Sequence, residues 1–171
     1  MTRSGWVVCT AAVAAVLAGC HQQASTGTVA ASAPSSAATA AGPAKPAATA
    51  DENTWGNYLA EQGKLHGKDV GMKPYIYVIP GGDSVAATNR RQNESDSVVH
   101  SIGPILMPGG MLILGGPNAK QTTAFITDVS KQVKPNAMSG IVVMVVSDTA
   151  EQAADTAALK PSGATVRFVA M

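Results

Sequence analysis

The stretch Ile141-Val142-Val143-Met144-Val145-Val146 consists of six apolar residues with no polar residue between them. A strand with one face in water alternates apolar and polar side chains, because successive side chains point to opposite faces. A run without alternation therefore predicts a strand that is covered on both faces, as in parallel sheets flanked by helices. This stretch indicates an α/β domain in which helices lie on both sides of the sheet.

Strands and helices alternate along the chain around this stretch. β-branched and apolar residues predict further strands at residues 75–79, 111–114 and 165–171. Helical spacing and N-cap residues predict helices within residues 51–68, from 83 or 84 towards 102, from 118 to 134 and from 148 to 159. The alternation favours right-handed crossovers. We predict a small three-layer α/β domain with a mainly parallel four-stranded sheet. A split βαβ sandwich with an antiparallel strand is the main alternative.

Several side chains within these elements carry expectations of their own. Trp55 is interpreted as a core residue rather than a ligand-stacking one, and His100 as a partly buried structural histidine. Asp148 and Glu151 have the spacing of a capping box at the start of the last helix. The wholly polar residues 89–96 leave open whether the middle of the second helix is helical or a loop.

The start of the chain has the order of parts found in exported proteins. Arg3 supplies a positive charge, and an apolar run extends from residue 6 to residue 17. The run is long enough for a signal peptide and too short for a membrane-spanning helix. Leu17-Ala18-Gly19-Cys20 resembles the lipobox of bacterial lipoproteins, and all four residues match that pattern. An ordinary secretory signal peptide with an incidental cysteine is the alternative.

The resemblance implies a lipid anchor in the cell envelope. In lipoproteins the peptide is cut just before the lipobox cysteine, which is acylated on its sulfur and on its new amino group. Cys20 would be that lipidation site and would attach the protein to a membrane. In such proteins an Asp after the cysteine often retains the chain at the inner membrane, whereas His21 implies the outer membrane, facing the periplasm.

Composition divides the chain into three parts. Residues 1–19 are the predicted signal peptide. Residues 20–50 hold the acylated Cys20 and a segment of mostly Ala, Ser, Thr, Pro and Gly in which Lys45 is the only charged residue. Such a segment buries too little apolar surface to offset its ordering entropy, so we predict a flexible tether. Residues 51–171 are the predicted globular α/β domain.

Charge and cysteine content exclude several classes of function. The chain has 12 Lys and Arg residues, one of them Arg3, against 11 Asp and Glu residues, so the processed chain is nearly neutral. This balance gives no electrostatic reason to expect nucleic acid or an anionic membrane surface as a partner. Beyond Cys20 the processed chain has no thiol, and His66 and His100 lack metal-ligand spacing. We predict no metal and no cofactor.

Polar residues follow three of the predicted strands, where ligands bind in open parallel sheets. The candidate ligand-binding residues are Gly81, Gly82, Asp83, Ser84, Asn118, Lys120 and Asp148. Paired glycines let a backbone approach a ligand closely, and free N–H groups favour an anion. The structural explanation of the same residues is that the glycines form turns and that Asn118 and Asp148 are ordinary N-caps.

Two hypotheses about function follow. The first is a membrane-anchored envelope lipoprotein whose tethered α/β domain binds an envelope protein or a small ligand without catalysis. The second is an envelope hydrolase that uses Asp83 or Ser84 in a strand-end cleft, with His100 as base. The Gly-x-Ser-x-Gly pattern of a nucleophile elbow is absent around Ser84, which favours the first hypothesis. Arg90-Arg91 is interpreted as part of a solvated helix face.

Overall fold

A computed structural model describes residues 42–171. Four α-helices and four strands occur within them: α1 (Glu52–His66), β1 (Tyr75–Val78), α2 (Val85–Ser101), β2 (Met111–Gly115), α3 (Ala119–Gln132), β3 (Val142–Ser147), α4 (Gln152–Leu159) and β4 (Thr165–Ala170). This order of elements confirms the predicted α/β fold. The predicted signal peptide, Cys20 and the first part of the predicted tether lie outside the described residues. Within residues 42–171, no helix is long and apolar enough to cross a membrane.

The sheet is parallel throughout, with the strands in the order β1-β2-β3-β4. This excludes the alternative with an antiparallel strand. Because each crossover leads to the next strand in the same direction, right-handed connections place α2, α3 and α4 on one face. The opposite face is covered by α1, which precedes the first strand. The domain therefore has three layers, as predicted.

Each face of the sheet carries its own hydrophobic core. On one face, Val143 and Val145 of β3 pack with residues of α2, α3 and α4, including Ile126 and Leu159. On the other face, Met144 and Val146 pack with Trp55, Tyr58 and Leu59 of α1. Alternate side chains of one strand thus enter two separate cores. This arrangement is the physical reason why the run at residues 141–146 lacks polar residues.

Local sequence signals account for most helix boundaries. The Asp51 carboxylate accepts a hydrogen bond from the Thr54 N–H at 2.8 Å and caps α1. The polar residues 89–96 are helical, and α2 continues through them without a break. Half of their side chains are exposed, and only Ser95 among them is buried. The open question about this segment is therefore answered in favour of a helix.

The predicted capping box at Asp148 is wrong. The Asp148 side chain makes no capping hydrogen bond, and a 3₁₀ turn at Thr149–Glu151 precedes α4. Instead, the Asp148 carboxylate accepts a hydrogen bond from Lys45 Nζ at 3.2 Å. A long-range ion pair replaces the local cap, and sequence spacing carries no information about such a partner.

Residues 42–50 lie against the domain. The Trp55 indole N–H donates to the Ala47 carbonyl at 3.3 Å, and Ala50 packs against the core beneath α1. An ideal Cβ at Gly42 would lie 3.8 Å from Leu65 Cδ1, near the end of α1. The tether was expected to extend to residue 50, whereas residues 42–50 contact the domain. Small side chains and backbone carbonyls are sufficient for these contacts, so this segment needs no apolar periodicity.

Candidate functional site

The first three helices begin at one edge of the domain, here called the carboxyl edge because the strands end there. An ideal Cβ at Gly56, near the start of α1, would lie 3.7 Å from Val78 at the end of β1. Ser84 and Asn118 cap α2 and α3 just after β1 and β2. Helix N-termini from both faces of the sheet therefore meet at this edge.

A cleft of about 480 Å³ opens at the carboxyl edge. It lies between the start of α1 on one face and the loops that lead from β1 and β2 to the helices of the other face. The sheet of the described residues has consecutive strand order and so lacks the switch point where ligands usually bind in α/β folds. Here α1, rather than a reversal of strand order, provides the second wall.

The cleft includes three of the seven predicted ligand-binding residues. Gly81, Gly82 and Asn118 line it, whereas Asp83, Ser84, Lys120 and Asp148 do not. Asp148 follows β3, beyond the two strands whose exit loops form the cleft, and is paired with Lys45. The predicted set is therefore only partly brought together.

Hydrogen bonds within the protein occupy the polar groups of the loop after β1. The Gln121 side chain accepts from the Gly82 N–H at 3.0 Å and donates to Asp83 Oδ1 at 2.8 Å. Arg91 Nη1 donates to the carbonyls of Pro80 and Gly82, at 3.0 and 2.8 Å. Arg91 therefore braces the loop, although the sequence interpretation placed it on a solvated face. Asp83 likewise holds the loop in place.

Ser84 has a structural partner and no nearby histidine base. Its hydroxyl oxygen accepts from the Ala87 N–H at 3.1 Å, which makes Ser84 the N-cap of α2. His100 lies at the other end of this helix, roughly 24 Å away along the axis. His100 is exposed, with Nδ1 2.6 Å from the Asp96 carbonyl oxygen. The expectation of a partly buried His100 is wrong, because the helix presents this position to solvent.

The glycines at the strand exits let two loops pack together. An added Cβ at Gly81 would lie 2.8 Å from Pro117 Cγ, and one at Gly116 would collide with the Ile79 carbonyl. Gly82 has φ +99, a conformation that side chains other than glycine's rarely adopt. These glycines therefore allow a close approach between two loops of this chain and not between the backbone and a ligand. That supports the structural explanation of these glycines.

Two charged residues of the cleft, Arg90 and Glu52, lie outside the predicted ligand-binding set, since the sequence favoured a solvated helix face for Arg90. Arg90 Nη2 donates to Glu52 Oε2 at 2.6 Å, and this bond joins α2 to the first turn of α1. Glu94 also lies 3.7 Å from Arg90 Nε. The Glu52 carboxylate raises the pKa of Arg90 by hydrogen bonding to its charged form. The spacing of Arg90 and Glu94 was visible as a helical i,i+4 pair, but nothing in the sequence linked Arg90 to Glu52 across 38 positions.

The remaining wall of the cleft is largely apolar. Trp55, Val78, Ile79, Pro80 and Pro117 line it together with Ala48 and Ala50 of the segment before α1. Trp55 is 1% exposed and packs edge-on against Tyr58, with ring centroids 5.8 Å apart. The prediction of Trp55 as a core residue is confirmed. An apolar wall with one ion pair at its rim suits an amphipathic small molecule.

The described part of the cleft contains no pair of groups suited to nucleophilic catalysis. Its lining includes no Ser, Cys, His or Lys side chain, and Glu52 is already bonded to Arg90. Among residues 42–171, no three His, Cys, Asp or Glu side chains are grouped so that they could hold a metal ion. No protein-family model, curated protein or solved structure matches this chain.

Proposed function

We propose that this chain is a lipid-anchored envelope protein whose α/β domain binds a small ligand in the carboxyl-edge cleft without catalysis. The supporting observation is which polar groups at this edge are bonded within the protein and which of them line the cleft. Ser84 caps a helix and Asp83 braces a loop, while Arg90 and Glu52 are the charged groups that line the cleft. Groups suited to chemistry are engaged in structure, and groups suited to recognition line the cavity.

The lining points to an amphipathic organic anion as the ligand class. The apolar part of such a molecule packs on Val78 and on the two prolines of the wall, Pro80 and Pro117. Its carboxylate or phosphate replaces Glu52 as the partner of Arg90, since a guanidinium binds either group through paired hydrogen bonds. The Asn118 side chain and the N-terminus of α1 lie at the same rim. Displacing an exposed surface carboxylate costs little, because exposed ion pairs contribute at most about 1 kcal/mol.

Native mass spectrometry combined with thermal unfolding tests the ligand proposal. We expect the mature chain to carry a small-molecule adduct, or to unfold at a higher temperature in the presence of fatty acids or organic phosphates. Arg90→Gln is expected to weaken this binding roughly tenfold or more, because the charged partner of the anion is lost. Lys131→Gln is the matched control, since Lys131 forms a comparable surface pair with Asp128 at 3.1 Å. A chain without adduct that none of these anions stabilises would overturn the ligand proposal.

The envelope location rests on the lipobox and has its own test. Labelling cells with radioactive palmitate is expected to mark the wild-type chain and not Cys20→Ser. Outer-membrane fractions are expected to retain the wild-type chain after a wash with high salt, whereas Cys20→Ser is released. If Cys20→Ser stays bound after the same wash, Cys20 is not the anchor.

A further inference from the structure

Lysines are in excess over acidic residues at one end of the domain. The amino edge is the end where the strands begin and the helices finish. Apart from the Asp69–Arg167 pair, its exposed basic residues are Lys64, Lys68, Lys73, Lys131, Lys134 and Lys160, against Glu61, Asp96 and Asp128. At the carboxyl edge the five acidic residues Asp51, Glu52, Asp83, Asp148 and Glu151 are nearly balanced by Lys45, Arg90, Arg91 and Lys120. The nearly neutral total charge conceals a positive amino edge.

Helix dipoles explain only part of this excess of lysine at the amino edge. Cations are favourable in the last turn of a helix, and Lys64 and Lys131 occupy such turns in α1 and α3. Lys68 and Lys73 lie in the loop between α1 and β1, beyond the helix, and form no ion pair with a described residue. Neither a helix dipole nor an ion pair therefore accounts for the position of these two lysines.

The large exposed apolar side chains lie at the same edge. Leu65, Met72, Tyr75, Ile105 and Met107 are between 37% and 47% exposed. They lie at the amino edge, where Tyr75 begins β1 and the others belong to helix ends or loops. The sixth, Val85, lies at the carboxyl edge. An ideal Cβ built on Gly110 would lie 4.0 Å from Met72 Sδ. The Gly110 N–H in turn donates a hydrogen bond to the Met107 carbonyl. Met72 therefore adjoins the loop that carries Met107, and Lys68 and Lys73 line the same groove as Met72.

The first described residue also lies at this edge. Gly42, the first described residue, lies beside Leu65 at the end of α1. Next to α1, a groove of about 440 Å³ is lined by Lys64, Lys68 and Lys73 together with Met72 and Ile76. Cys20 precedes Gly42 by only 22 positions in the sequence. A lipid at Cys20 therefore keeps the basic, apolar edge within reach of the bilayer.

We propose that the amino edge docks on the surface of a bilayer that contains anionic phospholipids. Lysine side chains are attracted to anionic head groups, and exposed Met and Leu side chains enter the interface between head groups and acyl chains. The proposal deepens the envelope location proposed above. It also gives the domain an orientation, with the carboxyl-edge cleft facing away from the membrane.

Vesicle co-sedimentation of residues 21–171, made without acyl groups, tests this docking. We expect binding to vesicles that contain phosphatidylglycerol, weaker binding to phosphatidylcholine vesicles, and loss of binding as salt rises from about 0.05 to about 0.5 M. Lys68→Glu is expected to lower the partition coefficient roughly tenfold. Lys120→Glu changes the net charge equally at the opposite edge and is expected to leave binding unchanged. Met72→Ser is expected to weaken binding to the vesicles. Val85→Ser, which removes an exposed apolar side chain at the opposite edge, is the control and is expected to leave vesicle binding unchanged.

Each outcome decides the proposal. Equal binding to neutral and anionic vesicles, or equal effects of Lys68→Glu and Lys120→Glu, would overturn it. Absence of vesicle binding would also overturn it, and crosslinking from position 68 to an acidic envelope protein would then identify another occupant. Since residues 21–171 carry no acyl group here, their binding is independent of whether Cys20 is the anchor. Failure of the anchor proposal appears separately, in the palmitate labelling.

Discussion

At the scale of single residues, Asp155 is the least favourable polar group of the described chain. It is fully buried in α4, and neither carboxylate oxygen has a hydrogen-bond partner. Burial raises the pKa of Asp155 by more than the neighbouring Thr123 hydroxyl lowers it, and the charge of Glu151 adds to the rise. Between the unfolded-state and folded-state pKa values the folded state binds more protons. The contribution of Asp155 to the free energy of unfolding therefore falls as pH rises through this range.

Asp155→Asn is expected to raise the free energy of unfolding at about pH 7 by on the order of 1 kcal/mol, because it removes a buried charge. The gain should shrink at acidic pH, where the wild-type carboxyl is protonated. Urea denaturation at both pH values measures this difference. Glu151→Gln controls for removing a nearby surface charge. A variant less stable than wild type at neutral pH would show that the carboxylate has a partner in solution.

At the scale of elements, Arg167 of β4 fastens the loop that follows α1. Its two Nη atoms donate to the two Asp69 carboxylate oxygens at 2.8 and 2.9 Å, and it also bonds to the His66 carbonyl. The Arg167 guanidinium lowers the pKa of Asp69 to about 2. Because folding lowers the pKa of Asp69, its ion pair with Arg167 stabilises the folded state fully above the unfolded-state pKa of 3.8. This stabilisation is lost as the pH falls through about 2.

Asp69→Asn is therefore expected to lower stability at about pH 6 and to have little effect near pH 2. Urea denaturation across this range provides the measurement. Asp128→Asn, which removes a surface carboxylate without a bidentate arginine, is the control. If Asp69→Asn lowers stability equally at both pH values, the contribution of this residue does not depend on its charge.

The start of α2 distinguishes a cap from a nucleophile at Ser84. If Ser84 acts as an N-cap, the substitution Ser84→Ala is expected to lower the free energy of unfolding by about 1 kcal/mol and to leave ligand binding unchanged. Ser97→Ala removes a hydroxyl bonded to the carbonyl of Asn93 on the same helix and is expected to change stability by less than about 0.5 kcal/mol. Esterase activity that is present in the wild type and lost in folded Ser84→Ala would support the hydrolase hypothesis instead.

At the scale of the whole molecule, the segment at residues 42–50 completes the face that α1 covers. A chain that begins at Asp51 loses the carbonyl acceptor of the Trp55 indole and the packing of Ala50. We expect it to be less stable than a chain that begins at Gly42 by about 1 to 2 kcal/mol. Chemical denaturation of the two chains compares them directly. Equal stabilities would mean that the globular domain is complete from Asp51.

The architecture was predictable because it follows from local patterns. The unbroken apolar run at residues 141–146 required a strand covered on both faces, and the alternation of elements required crossovers. N-caps at Asp51, Ser84 and Asn118 were recognisable because a cap bonds to a residue only three positions away. These signals act over short separations, where sequence spacing is equivalent to distance.

The cleft was only partly predictable because its partners come from distant parts of the chain. Local patterns were sufficient to predict polar loops at the strand ends and a buried Trp55, and residues 17–20 resemble a lipobox. The folded structure brings Arg90 to Glu52, places the side chains of Gln121 and Arg91 on the loop around Asp83, and pairs Asp148 with Lys45 instead of with the start of α4. Those contacts depend on the packing of α1 and on strand order, which no local pattern encodes.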